Sequence, residues 1–236
     1  MLTLNIYKML KVGNLSKSFG NQLILDNISF DIEKGSTAAI VGPSGSGKTT
    51  FLNIIGTLDQ ADSGKVFFNN QDISFMSEKE RSLFRNKHIG FIFQMHFLLP
   101  QCTVFENVLI PTLSYTVKTE KLEAQQRAEY LLEKIGMIQH RNKLPGQLSG
   151  GECQRTAFVR ALINQPELIL ADEPTGSLDE ENAAILSEEL ILLNKEFHTT
   201  LIVVTHSLLL AGKMDMTWHL HNYKLNTDQQ LNAKHV

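Results

Sequence analysis

AIVGPSGSGKTTFLNIIG, residues 39–56, decides the fold. Its middle is nearly bare of side-chain bulk: three glycines and two serines stand between an apolar run and a lysine followed by two threonines. Gly42–Thr49 fit the spacing G-x-x-x-x-G-K-S/T, with an apolar strand before them and an amphipathic stretch, TTFLNIIGTL, after them. In that setting glycines let successive backbone N–H groups turn inward without side-chain clash, and the helix that follows aims its positive end at the same point. Such a cradle suits a phosphate group. Lys48 adds a point charge against β- and γ-phosphates, and the Thr49 hydroxyl suits Mg²⁺. The nucleotide-binding loop is therefore read as Gly42, Pro43, Ser44, Gly45, Ser46, Gly47, Lys48, Thr49 and Thr50. A plain flexible Gly/Ser turn is the bland alternative; the lysine and the strand-to-helix setting count against it.

Around this loop, apolar runs and helical periods alternate. TAAIV (37–41), IGFIF (89–93), LILA (168–171) and LIVV (201–204) are nearly continuous apolar stretches, the pattern of parallel strands covered on both faces. ISFDIE (28–33) and KVFFN (65–69) read as half-buried antiparallel strands. Ala124, Ala128, Leu131 and Ile135 recur at helical spacing, as do Ile185, Leu186, Leu190 and Leu193. The expected fold is an α/β sheet with right-handed crossovers, and the stretch from about 100 to 165 is a helical insertion.

Composition bounds the function. A chain of 236 residues with 42% hydrophobic residues builds one large domain, or a domain with a subdomain. A net charge of −3 supplies no broad basic footprint, so nucleic acid is not an expected partner. Cys102 and Cys153 lack the spacing of a zinc site and are too few for a disulfide framework, which fits a reducing compartment. No apolar run reaches the roughly 18 residues of a membrane span. The opening MLTLNIYKML reads as a loose leader, with the folded part beginning near Leu10.

LILADEPTG supplies the second part of a site. An apolar strand delivers Asp172 and Glu173 to its carboxyl end, where ligands of open α/β sheets bind. Asp172 is placed to hold Mg²⁺, and Glu173 to orient or deprotonate the water that attacks a γ-phosphate. A solvated strand-end carboxylate pair is the alternative reading. With the lysine loop, these acids indicate an NTP hydrolase or a phosphoryl transferase. NKH, NKL and NKE do not complete the N-K-x-D base reader expected of GTPases.

LSGGECQRTAFVRAL, Leu148 to Leu162, narrows the class. From about Leu10 to Leu225 the chain resembles the ATP-binding subunit of an ABC transporter. SKSFG resembles the aromatic loop of that family, with Phe19 placed to stack on adenine; FIFQ its Q-loop, with Gln94; SLD its D-loop, with Asp179; and VVTH its switch histidine, His206. Taken singly, Phe19 reads as a core aromatic, His206 as a structural histidine and Gln94 as a strand-end amide. Their order along the chain is what the family shares.

The resemblance implies a P-loop NTPase with a mixed sheet core, an N-terminal antiparallel β-subdomain and an inserted α-helical subdomain. It assigns 10–95 and 166–225 to the ATP-binding core, about 96–165 to the helical subdomain, and 1–9 and 226–236 to loose ends of a single domain. It implies ATP and Mg²⁺, with Gln94 on the metal or the water and His206 sensing the γ-phosphate. Ser149, Gly150 and Gly151, at a helix start, form a second phosphate cradle. Two copies then face each other, each completing the other's site. The partners implied are integral membrane permease subunits, at the cytoplasmic side of a bacterial inner membrane.

The runs VGPSGSGKTTFLNIIGTLDQADSGKV, FIFQMHFLLP and ADEPTGSLD look most like the lipoprotein-releasing and macrolide-exporting branch. An amino-acid importer, another ABC system, a soluble ABC ATPase of translation or repair, and a small-molecule kinase are the alternatives. A dead, binding-only scaffold is disfavoured because Lys48, Asp172, Glu173 and His206 are all intact. Two positions depart from the commonest pattern, Glu152 and Cys153, where glutamine is usual; Cys153 is expected to be partly exposed and replaceable by glutamine. The tail MTWHLHNYKLN keeps a hairpin-like alternation without a glycine in its turn.

Overall fold

The computed structural model describes residues 8–227. Two long strands open it, β1 (Lys8–Phe19) and β2 (Gln22–Glu33), followed by β3 (Thr37–Val41) and, across the lysine loop, α1 (Lys48–Ile55). Next come β4 (Ser63–Phe68), the short β5 (Gln71–Asp72), α2 (Glu78–His88) and β6 (Ile89–Ile92). A helical stretch follows with α3 (Val104–Leu109), α4 (Lys118–Lys134) and α5 (Gly150–Leu162). The chain returns through β7 (Leu168–Asp172), α6 (Glu180–Phe197), β8 (Thr200–Val204) and α7 (Leu208–Ala211) to a final pair, β9 (Met216–His221) and β10 (Lys224–Thr227).

The strands form two sheets. One is antiparallel, in the order β2-β1-β4-β5; the other is mixed, in the order β10-β9-β3-β8-β7-β6, parallel except where β10 returns along β9. The continuous apolar runs have the cause that their composition implied. Along β7 and β8, Leu168, Leu170, Ile202 and Val204 face α1 and the antiparallel sheet, while Ile169, Ala171, Leu201 and Val203 face the helices. Side chains alternate between faces and both faces are covered, so polar residues are confined to the strand ends, Asp172 and Thr200. Beyond a small cluster of Leu98, Cys153 and Ala157, the helical stretch packs into the core of the mixed sheet. Val104, Val108, Ala128, Leu131 and Leu132 pack in the same cluster as the helix-facing residues of β7 and β8.

Helix starts follow the capping rules. Ser77 with Glu80, Thr103 with Glu106 and Ser149 with Glu152 make reciprocal capping boxes at α2, α3 and α5, each satisfying two otherwise orphaned donors. Asp179 accepts the Asn182 N–H at 2.9 Å and caps α6.

The fold starts earlier and ends later than the expected boundaries. Lys8 already pairs with Glu33, Met9 is fully buried, and its carbonyl accepts the Asn69 N–H at 2.7 Å. A strand that closes both β2 and β4 extends as far as its partners do. At the other end β10 runs to Thr227, and the rest of the expected loose ends lies outside the described residues. The terminal hairpin turns without glycine: Asn222 and Tyr223 both take positive φ, 49° and 65°, the geometry of a tight two-residue turn that follows the strand twist. The Tyr223 carbonyl accepts the Asp26 N–H at 2.8 Å, which ties the hairpin tip to β2 and holds the tyrosine in that conformation.

Candidate functional site

Four neighbouring parallel strands, β3, β8, β7 and β6, end in register: Ile40 is opposite Val204, Val204 opposite Asp172, and Ala171 opposite Ile92. Each carries one part of the site just past its carboxyl end. The lysine loop follows β3, His206 follows β8, Asp172 and Glu173 end β7, and Gln94 follows β6. All meet in one cleft of about 580 Å³, lined by Lys48, Thr49, Gln94, Asp172, Glu173 and His206 among others.

The lysine loop is shaped by its backbone. Gly47, which precedes α1, sits at φ 96°, and a Cβ there would come within 2.8 Å of Ile24 Cγ2. Only glycine meets both demands, so the loop closes directly under α1 and against β2. Lys48 is buried and donates to the carbonyls of Gly42 and Pro43 at 2.9 Å each. Burial holds its pKa below the usual lysine value, with the charges of Glu173 and Asp172 pulling the other way. The Ser46 hydroxyl is buried with no hydrogen-bond partner, and Ser46, unlike Ser44, Gly45 and Gly47, does not line the cleft.

Thr49 Oγ1 donates to Asp172 Oδ2 at 2.8 Å. Burial raises the Asp172 pKa, against the opposing effects of Thr49 and Lys48. Among the described residues no three His, Cys, Asp or Glu side chains converge as a metal cage. A hydroxyl beside a single carboxylate is instead the sparse, all-oxygen donor set that suits Mg²⁺ shared with phosphates and waters.

Glu173 is held unusually. Its φ is 47°, a left-handed backbone that a glutamate adopts at a cost of ~1–3 kcal/mol and keeps only where its surroundings enforce it. They do so here: its N–H donates to Val204 O at 2.8 Å, and its Oε2 accepts the His206 N–H at 3.1 Å. His206 Nε2 stands 3.2 Å from Oε1, an oxygen that is buried and without a hydrogen bond. The acid is thus fixed at two points, by its backbone N–H and by one carboxylate oxygen.

The other predicted residues lie elsewhere. Gly42 and Pro43 line a neighbouring cleft against the last hairpin, beside Leu220. Phe19, Ser149, Gly150, Gly151 and Asp179 do not line the lysine cleft. Phe19 is exposed, with Lys17 Nζ 5.1 Å from its ring centre, so it is a surface aromatic and not a core one. The Ser149 oxygen accepts the Glu152 N–H at 3.3 Å, and its hydroxyl donates to the Glu152 carboxylate within the same capping box. Sequence reasoning missed Ile24, Gly176 and Val204 as lining residues; they are apolar or featureless positions, and only the fold brings them there.

With this geometry in view, comparison with known proteins is decisive. A family model described as ABC transporter matches residues 25–176. The chain belongs to the ABC transporter family. It is 47% identical to the lipoprotein-releasing system ATP-binding protein LolD of Bacteroides fragilis over 212 residues, 90% of this chain and 97% of that protein. It is 48% identical to LolD 1 of Rhodopirellula baltica over 216 residues, covering 90% and 93%. Among solved structures it is similar to the dimeric post-hydrolysis state of the ATP-binding cassette MJ0796 bound to ADP and Pi, with a TM-score of 0.83 and 36% identity over 93% of this chain and 98% of that one. This ABC cassette is accordingly an ATPase.

One expectation for the cassette fails. Cys153 is buried, not partly exposed: it packs with Leu98, Ala157 and Leu148, and its Sγ lies 3.6 Å from Pro145 O. It falls on the inner side of α5, whose N-terminal glycines face outward. Cys153→Gln must force a longer polar side chain into that packing, and overpacking of this kind costs about 1–3 kcal/mol. A lower melting temperature is expected with turnover per folded molecule within twofold of wild type, as read by thermal denaturation and an ATPase assay side by side.

Proposed function

We propose that this chain is the ATP-hydrolysing motor of a lipoprotein-releasing transporter. In this reading two copies act on integral membrane permease subunits from the cytoplasmic side of the bacterial inner membrane. The observation that carries the chemistry is the convergence of four strand ends on one cleft, which puts Lys48, Thr49, Gln94, Asp172, Glu173 and His206 within reach of a single triphosphate.

The roles follow from position. The loop Gly42–Thr50 wraps the phosphates, Lys48 leaves its two carbonyl acceptors to bind the β- and γ-phosphate oxygens, and Phe19 offers adenine a face. Glu173, held by Val204 and His206, takes a proton from the attacking water, and His206 senses the γ-phosphate through the same acid. Thr49 and Asp172, with Gln94, would hold Mg²⁺, which when bound neutralises phosphate charge.

Ser149, Gly150 and Gly151 begin α5 away from the lysine cleft, so they serve the nucleotide of a second copy, and Asp179 lies at the same face. The dimeric state of MJ0796 supports a paired arrangement. ATP then favours the closed pair, and hydrolysis releases it. No helix among the described residues is long and apolar enough to cross a membrane, so the pathway for cargo belongs to the partner. Met95, Phe97 and Leu99, exposed where the Gln94 loop enters the helical region, support contact with such a partner.

The names of the relatives support lipoprotein as cargo. The test is to purify the cassette with its membrane partner, place both in liposomes carrying an acylated lipoprotein, and measure release of that lipoprotein into solution. ATP-dependent release is expected, with none when ATP is replaced by ADP. Retention of the lipoprotein alongside ATP-driven movement of an amino acid or a drug overturns the cargo assignment.

A further inference from the structure

The segment bearing Gln94 is clamped to α5 by side chains that no part of the chemistry above uses. Gln154, almost fully buried, donates through Nε2 to Phe93 O at 2.8 Å, just before Gln94. Arg160, two turns further along α5, donates through Nη2 to His96 O and through Nη1 to Phe97 O, both at 2.7 Å, just after it. Phe97 has φ 45°, a left-handed residue that turns the chain beneath the guanidinium. Its ring returns edge-on to Phe93 at 5.5 Å, and Phe93 is stacked on Phe91 of β6. His96 adds a local lock, its Nδ1 lying 3.3 Å from the Leu98 N–H. Burial and the Arg160 charge both lower the His96 pKa, which keeps that nitrogen an acceptor.

We infer that Arg160, seconded by Gln154, is a positioning residue for Gln94: it fixes the backbone on either side of that glutamine and so sets where its amide stands over the reacting phosphate. The guanidinium is suited to this because it is a rigid fork whose two donors match two successive carbonyls; an ammonium presents a single point. The same helix begins at Ser149. The backbone around Gln94 in one site and the serine offered to the neighbouring copy's site are therefore carried by one rigid element. The inference rests on the reading of Gln94 as a residue of the ATPase site.

The test is a double-mutant cycle on ATP turnover by the full chain with Mg-ATP, using Gln94→Ala, Arg160→Met and the combination. Methionine keeps the apolar stem and deletes the fork. Arg160→Met is expected to lower kcat about tenfold with KM for ATP within twofold, and to have less than a twofold further effect once Gln94 is alanine. Arg160→Lys, which restores one donor, should recover part of the loss. If Gln94→Ala itself leaves kcat unchanged, the reading of Gln94 fails. If Gln94→Ala lowers kcat but Arg160→Met leaves kcat unchanged, or lowers it equally in both backgrounds, the positioning role fails. A fall in melting temperature and active fraction with kcat per active site unchanged assigns Arg160 to the fold alone and also overturns the proposal.

Discussion

Glu173→Gln is expected to lower ATP turnover at least a hundredfold, to keep ATP bound and to trap a pair of copies. The amide matches the carboxylate in size, its oxygen still accepts the His206 N–H, and the backbone bond from Glu173 N to Val204 O does not involve the side chain, so the local geometry survives. What disappears is the proton acceptor. General-base assistance contributes about 10²–10⁴-fold, or roughly 3–5 kcal/mol, and among the described residues the one other carboxylate lining the cleft is Asp172, which is occupied by Thr49. If hydrolysis is the step that releases the pair, a variant that binds ATP without cleaving it accumulates as a pair. Size-exclusion chromatography with ATP should show twice the mass of the 26.6 kDa chain, and phosphate release should be near background. Normal turnover removes Glu173 from its role. Lost turnover with bound ATP but no pair removes the two-copy site, and with it the function of Ser149 and the glycines after it.

How much of this was legible beforehand depends on what each residue faces. β3, β7 and β8 were readable because both their faces are covered, which fills their interiors with apolar residues and leaves polar ones, Thr37, Asp172 and Thr200, only at their ends. β1 was not, since its pairing slips repeatedly, between Val12 and Leu15 and again on to Lys17 and Ser18, with Asn14 at positive φ; a strand with bulges loses its period of two. α2 escaped for a different reason. It buries only Phe84 and is otherwise mostly charged or polar, so it has no apolar stripe to detect. In the site, the lysine loop and the acid pair could be placed because each adjoins a readable strand, whereas Gln94 and His206 end strands too but were singled out only by the order of motifs that the chain shares with its family. The clamp by Gln154 and Arg160 could not, because both side chains bond to backbone carbonyls, which leave no mark on the residue types of the loop they hold. Cys153 was misplaced for want of the helix phase: its neighbours in sequence are the exposed start of α5, but its own direction is inward.

Lys48→Met should separate binding from folding with effects of opposite sign. ATP affinity is expected to fall at least a hundredfold, about 2.7 kcal/mol, because the variant loses the lysine charge that lines the cleft against a triphosphate; a single charge pair at 4 Å is worth about 4 kcal/mol at an effective dielectric near 20. Stability should hold or rise. Burial is the largest influence on Lys48 and lowers its pKa, and the attraction of Glu173 and Asp172 does not reverse the direction. A lysine whose folded pKa lies below its unfolded value disfavours the fold at every pH where it is charged in both states, and that cost lessens only as pH rises through the folded pKa. Methionine carries no charge to desolvate and so removes that cost. The carbonyls of Gly42 and Pro43 lose a donor, but their loop borders open clefts where water can replace it. Thermal melts with and without ATP, together with titration of a fluorescent nucleotide, read both effects. The wild type should melt higher with ATP, while the variant should melt at or above the wild-type apo temperature and ignore ATP. A variant that still binds ATP tightly takes the phosphates away from Lys48, and one that melts more than about 5 °C lower, roughly 1–2 kcal/mol for a chain of this size, makes the lysine a structural prop of the loop.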